Sequence, residues 1–369
     1  MTWAELHTES ELLAIEAQLA LRSRRVEQAI DLYRKAAEIE QSALEQIDIS
    51  KARTRGITAV SAVALWFKAG VYDRAEQLAH LMLADPKIPD FARVDLRDLV
   101  QAIWTESSKQ KAGVSFVPGQ VMVSVKGGEV VTGGAPLDLI VDKVQTIQSM
   151  FYRTIEFLNG VSHRRVGRPS KELQEACRPW LFQSAPGSYQ FSVAIQKPTQ
   201  QDFFKEDLEP ERIAQHFLEI VSASSSENTE ELERLVPDEN YRSTFLKLVR
   251  NLAPTGRSFD QIELRSSGES RPIALGVESR SNINQQLRKK LTLPAKTEDN
   301  PEELYGTLRA VHLDKDWLEI VVDGMSIHIE GLKDAVDDVI GQMVNRSVIV
   351  RVVRNSKKKF KYVDIELAD

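Results

Sequence analysis

Ala69-Gly70-Val71-Tyr72-Asp73-Arg74-Ala75-Glu76-Gln77-Leu78-Ala79 joins two apolar runs of helical period. Val60, Val63, Ala64 and Phe67 precede the joint, and Tyr72, Ala75, Leu78, Ala79 and Met82 continue through it and beyond. Steps of three and four residues place each set on one helix face. Gly70 permits a tight turn, and the small Ala75 lets the two helices approach closely. Toward the N-terminus the pattern recurs, with Leu12, Ile15 and Leu19 followed by Val26, Ala29, Ile30, Tyr33, Ala36 and Ala37 as the apolar faces of a first pair. Toward the C-terminus, Pro86 and Pro89 punctuate the second pair, and Val94, Leu96, Leu99, Val100 and Ile103 mark a further helix over about 90–104. No proline stands between Thr2 and Asp85, so only short polar turns interrupt these helices.

The joint resembles the second half of a tetratricopeptide (TPR) repeat, which places a small residue in the inter-helix turn, a Tyr two positions on and an Ala three beyond that. Gly70, Tyr72, Ala75 and Pro86 match, with Pro86 one residue early. The stretch from Arg24 to Ala36 matches less closely, with Arg24 at the Gly position and Val26 at the Tyr position. Ala29 and Ala75 lie 46 positions apart, against a repeat period of about 34. The first hairpin is therefore expected to carry a longer second helix or an extended turn near 46–55. The resemblance covers about 100 residues and implies an extended helical binding surface. It places Val60, Ala64 and Phe67 in the groove, as the residues that meet a partner. Some members grip a C-terminal carboxylate with Lys, Arg and Asn. Here the matching positions hold Glu11, Ala14, Gln18, Leu21, Ile57, Val60, Ala64 and Phe67, which implies an apolar or helical partner, or self-association.

Beyond the helices the period changes. Thr105–Gly113 is polar and reads as a linker. Val121, Val123 and Val125 alternate with polar residues as in a half-buried strand, and Gly127-Gly128 is expected to turn a hairpin returning through Thr132. A helix is expected over 136–159, another from Ser170 to about Phe182, a strand over 187–196, helices over 209–221, 227–235 and 238–252, and strands near 259–265 and 272–278. Thr292–Pro301 reads as a second linker. After it, candidate strands at 305–313, 317–322, 325–329, 347–354 and 360–366, with Asp323-Gly324 as a hairpin turn and a short helix near 332–340, suggest a small barrel, SH3-like or OB-like. The expected layout is TPR-like all-α hairpins over 1–110, an α+β domain over 114–291 and a β-barrel over 301–369.

The chain has 369 residues, with 48 Lys and Arg against 54 Asp and Glu, a formal net charge of −6. Such a balance argues against a surface that binds nucleic acid all over, though not against a local basic patch. The one cysteine, Cys177, excludes an internal disulfide and a Cys-based zinc site. No apolar run reaches the length of a membrane span, and the first residues lack a signal-peptide pattern, so a cytoplasmic protein without membrane contact is expected.

Four constellations are candidates for chemistry. Gly133-Gly134 precedes a helix, but no Gly-Lys-Ser/Thr follows, so it reads as a helix entry rather than a phosphate loop. Ser162–Ser170 carries His163, Arg164, Arg165 and Arg168; arginine forks match phosphate oxygens, whereas the plainer reading is a solvated loop. Arg351, Arg354, Lys357, Lys358, Lys359 and Lys361 crowd the last hairpin beside Phe360 and Tyr362. Basic charge beside aromatics is how many small barrels hold single strands. Residues 301–369 nevertheless hold 13 acidic against 10 basic residues, so solvated lysines and core aromatics are the favoured reading. No histidine pair has metal-ligand spacing, and no nucleophile elbow is present.

The expected function is therefore non-catalytic, without cofactor or metal: an interaction scaffold or regulatory adaptor. The alternative is nucleic-acid binding through Arg164, Arg165, Arg168, Arg354, Lys357, Lys358, Lys359 and Lys361. A third expectation, an accessory subunit of a bacterial defence or toxin-related system, rests on similarity of layout alone.

Overall fold

The computed structural model describes residues 2–113, 116–117, 119–131, 133–182, 189–197, 212–266, 272–291, 301–333, 335–354 and 359–368. The chain divides into two compact units, the first holding residues 1–114 with 182–187, the second holding 115–181 and 188–369.

The first unit is a run of five helices: α1 (Trp3–Arg22), α2 (Val26–Glu45), α3 (Ala52–Lys68), α4 (Tyr72–Ala84) and α5 (Asp90–Lys111). Thr2 and Glu5 form a capping box that starts α1. Ala17, Ala29, Ala36, Ala37, Ala59, Ala62, Ala75 and Ala79 are fully buried between the helices. The two turns share one geometry. Gly70 has φ 71°, and Arg24, 46 positions earlier, has φ 58°. In both, the next residue's N–H returns to a carbonyl five residues back, Val71 to Trp66 and Arg25 to Ala20. Positive φ costs an L-residue about 1–2 kcal/mol and glycine nothing. Arg24→Gly is therefore expected to stabilise the unit by roughly 0.5–1 kcal/mol, after the extra freedom glycine gives the unfolded chain. A higher thermal midpoint would check it, and an unchanged or lower one would refute the strain. The long repeat spacing has its source in the 20 residues of α2 and the non-helical stretch 46–51.

Two expectations fail here. Residues 105–111 are the last turns of α5 rather than a linker. Glu, Ser, Lys and Gln sit comfortably on a solvated helix face, so polarity alone misled. Leu12, Ile15 and Leu19, expected to face the core, are 59%, 55% and 53% exposed, while Leu6, Ser10, Ala17 and Ala20 face α2. The Ser10 hydroxyl donates to the Ala36 carbonyl at 3.0 Å. An approach that close admits only small side chains, and the large ones turn outward.

The second unit contains two sheets. The first has the order β2 (Pro179–Phe182), β3 (Tyr189–Ile195), β1 (Val121–Lys126), β4 (Gln261–Ser266), β5 (Ile273–Leu275). β1 runs antiparallel between β3 and β4. Around this sheet lie α6 (Leu137–Leu158), α7 (Lys171–Ala176), α8 (Ile213–Ser225), α9 (Thr229–Leu235), α10 (Glu239–Leu252) and α11 (Val277–Leu291). Gly127-Gly128 does not form the expected hairpin. A Cβ at Gly127 would strike the Asp260 carboxylate and one at Gly128 the Ser258 carbonyl; both glycines have positive φ and pass beneath the 258–260 segment. The helix expected to reach Phe182 stops at Ala176, and β2 follows. α11 was not anticipated, because its buried apolar residues are few. Among its described side chains Ile283 and Leu287 are the buried hydrophobics, and Arg280 is buried as well.

The second sheet is built from β6 (Glu302–His312), β7 (Trp317–Val322), β8 (Met325–Glu330), β9 (Ser347–Arg354) and β10 (Phe360–Leu367), with the short α12 (Asp337–Ile340) between β8 and β9. It closes on itself in the order β10-β8-β7-β6-β9. β10 pairs antiparallel with β9 and parallel with β8. Sheet, helices and barrel share one continuous hydrophobic core, so the boundary expected near residue 301 falls inside this compact unit.

Candidate functional site

On the helical unit, the three expected groove residues share one side of α3. Val60, Ala64 and Phe67 are half-buried, and the Phe67 ring lies 5.7 Å from that of Tyr72. Val60 and Phe67 thus pack partly against the helical core. The open apolar surface lies elsewhere, on the outer side of α1. Leu12, Ile15 and Leu19 follow one another at helical steps directly opposite the buried residues Leu6, Ser10, Ala17 and Ala20. A helix apolar on both sides normally has both sides covered. Reading the sequence found this stripe but assigned it to the core, because periodicity marks a face without saying which way it points.

The basic candidates are mostly committed to structure. Arg164 contacts Glu156 at 3.0 Å and Asp338 at 3.0 Å, and also bonds the Gly167 carbonyl. Arg165 donates to the carbonyls of Leu332 at 3.0 Å and Leu313 at 2.6 Å. The buried Arg153 reaches the same Asp338 at 2.6 Å. The loop expected to be solvated, or to grip phosphate, instead clasps the barrel. Of the three loop arginines, Arg168 is the exposed one. Arg354 forms a two-pronged pair with Glu302 and lies over the Phe360 ring at 4.8 Å. Lys359 pairs with Glu330 at 2.8 Å. Lys361 is exposed; Lys357 and Lys358 lie outside the described residues. Tyr362 is buried in the barrel.

A second clasp fixes β10. A bulge between Tyr362 and Asp364 shifts the alternation, so that Asp364 pairs with Arg351 on the face opposite Tyr362 and Ile365, where it is still buried. There it meets the fully buried Arg250 of α10, which also donates to the Ile365 carbonyl at 2.6 Å. Burial pushes Asp364 up, but the Arg250 charge and hydrogen bond, with the Lys247 charge and the Ile365 N–H, together outweigh it and hold the carboxyl below its ordinary value. Arg280 of α11 contacts Glu366 at 2.8 Å and the Leu367 carbonyl at 3.0 Å.

Between the arginine loop, α10 and the barrel lies a cleft of about 510 Å³, lined by His163, Arg165, Thr244, Lys247, Lys333 and Asp364 among others. His163 Nε2 lies 2.8 Å from the Thr244 hydroxyl. Burial, reinforced by the Arg153 charge, pushes His163 down to about 4, too weak a base to activate that hydroxyl well near neutral pH. Two further buried groups stand apart from the cleft. Lys143, pushed down to about 7 by burial and the Arg280 charge, donates to the Asn251 carbonyl at 2.6 Å and sits over Phe259. Burial pushes the Cys177 thiol up to about 12, which leaves it unreactive.

Among the described residues no group of three His, Cys, Asp or Glu side chains gathers as metal ligands do, and no helix is long and apolar enough to cross a membrane. No family model, curated protein or solved structure matches the chain.

Proposed function

We propose that the protein is a non-catalytic interaction module, a scaffold or adaptor that binds protein through its helical unit. The observation that carries this reading is the apolar stripe Leu12, Ile15 and Leu19, more than half exposed on a helix whose other side is already packed. The matched turns at Arg24 and Gly70, with Ala29 and Ala75 both fully buried three residues after each helix start, support a TPR-like repeat of unusual length. The test is a photo-reactive side chain at position 15 of the full chain. A protein adduct that disappears when Leu12 and Leu19 are changed to serine supports the reading. Labelling that ignores those two residues, or no adduct at all, overturns it.

A second reading, single-strand nucleic-acid binding by the barrel, has its own support. The strand ring, with its parallel β8–β10 pair and a helix between the third and fourth strands, favours an OB-like over an SH3-like assignment, and OB barrels commonly bind strands on the face of their second and third strands. On that face Trp317 sits between His312 and His328, with ring centroids at 5.9 and 5.0 Å. Against it, Glu319 and Glu330 share the same strands and face His328 and Trp317 across the ladder. Binding is therefore expected to be weak and lost with modest salt; no change in tryptophan fluorescence with a single-stranded oligonucleotide at low salt would discard it.

A further inference from the structure

We propose that the outer face of α1 is a homodimer interface, on which a second copy of this chain packs with its own α1 antiparallel, the two helices crossing at Ile15. The inference rests on the interaction-module reading and names its partner.

The internal repeat shows what such a face does when it is covered. Positions 46 residues after Leu12 and Leu19 are Thr58 and Leu65 of α3, and both are buried; the Thr58 hydroxyl accepts from the indole N–H of Trp3 on α1. The same face of α1 carries larger apolar residues, and among the described residues Leu12, Ile15 and Leu19 stay more than half exposed. An apolar helix face left exposed in a helical stack calls for a further layer.

Charge selects the occupant. Between Trp3 and Glu16, α1 carries Glu5, Glu9, Glu11 and Glu16 and no Lys or Arg; from Ala17 to its end it carries Arg22 and no acid, and Arg24 and Arg25 follow in the turn. A helix divided in this way is complementary to itself in one orientation. With the crossing at Ile15, Leu12 and Leu19 stand three and four residues to either side, so Leu12 of one copy meets Leu19 of the other. Glu11 and Arg22 project to the same flank of the stripe, four and seven residues from the crossing, so Arg22 of each copy comes within reach of Glu11 of the other. Parallel packing would set the four glutamates against their equivalents and align the helix dipoles unfavourably. The leucines supply the attraction, and the divided charge fixes orientation and register.

The test is sedimentation equilibrium of the purified full chain over a range of concentrations at low salt. A reversible dimer is expected. Ile15→Arg should give a monomer with unchanged helicity, since Ile15 is exposed and its loss removes no core contact. Arg22→Glu should weaken the dimer at least tenfold, and adding Glu11→Arg should restore it, because the swap re-creates both contacts across the two-fold. A dimer insensitive to Ile15→Arg, or an Arg22→Glu loss that Glu11→Arg does not repair, overturns the antiparallel interface. So does a monomer at all concentrations. In that case a Leu12- and Leu19-dependent adduct at position 15 with a different protein would leave the interaction-module reading standing, and its absence would remove both.

Discussion

Replacing Asp364 with alanine is expected to destabilise the second unit by roughly 3–5 kcal/mol, the cost of leaving a buried charge without its partner. Arg250 is fully buried, and its guanidinium is shared among Asp364, Asn284 and the Ile365 carbonyl. Without the carboxylate, the charge keeps only neutral acceptors. Hydrogen exchange followed by mass spectrometry should show the loss in α10 and β10 together, with the helical unit unaffected. Arg250→Met combined with Asp364→Leu should recover most of the stability, since an apolar pair of similar volume carries no desolvation cost. The same contact predicts an acid transition. The carboxyl of Asp364 is held below its unfolded value of about 3.9, so its contribution is complete above about pH 4 and is lost as pH falls through the lower folded value. Unchanged protection of β10 in Asp364→Ala would refute the clasp.

Ala75→Arg is expected to unfold much of the helical unit. Ala75 is fully buried where α4 approaches α3, beside the equally buried Ala59, Ala62 and Ala79. A long charged side chain there overpacks a closed interface and brings in an unpaired charge, together costing at least about 3 kcal/mol. Leu81→Arg, on the same helix but 63% exposed, should change stability by less than about 0.5 kcal/mol. Circular dichroism melting of both variants separates the cases. Equal melting curves would show that Ala75 does not set the helix spacing.

How far the sequence was legible depended on which signal each element used. α4, α6 and α10 combine a clear apolar period with starts and stops, and their expected and observed bounds agree to within a few residues; α2 shows its start but not its end at Glu45. The barrel strands were located for the same reason: strict alternation and the Asp323-Gly324 turn, with positive φ at both residues. α11 was missed because arginine and asparagine do part of the packing that apolar residues do elsewhere. The polar end of α5 was taken for a linker, since a solvated helical turn and a loop have the same composition. Of the candidate site, the residues of the α1 stripe were visible but their direction was not. The arginines of 164–168 were visible as charges; their partners Glu156 and Asp338 are 8 and 174 residues from Arg164, and Asp338 lies beyond the reach of any local pattern.

By itself the sequence determined the local elements. Backbone conformation answers to near neighbours: the period of apolar residues, a Thr-x-x-Glu cap, a glycine or a strained arginine where φ turns positive. It also determined that two hairpins share one plan, because the turn and the close-packed alanine recur at the same offset. Only the tertiary structure decided which face of each element is inside. Two faces of α1 are apolar, and the narrow one won the core because Ser10, Ala17 and Ala20 let α2 come close, while the leucines and Ile15 did not. Only the tertiary structure, likewise, turned the basic loop and β10 into clasps. An arginine's role depends on whether a carboxylate distant in sequence is brought within about 3 Å, and in water the same side chain is merely a solvated charge.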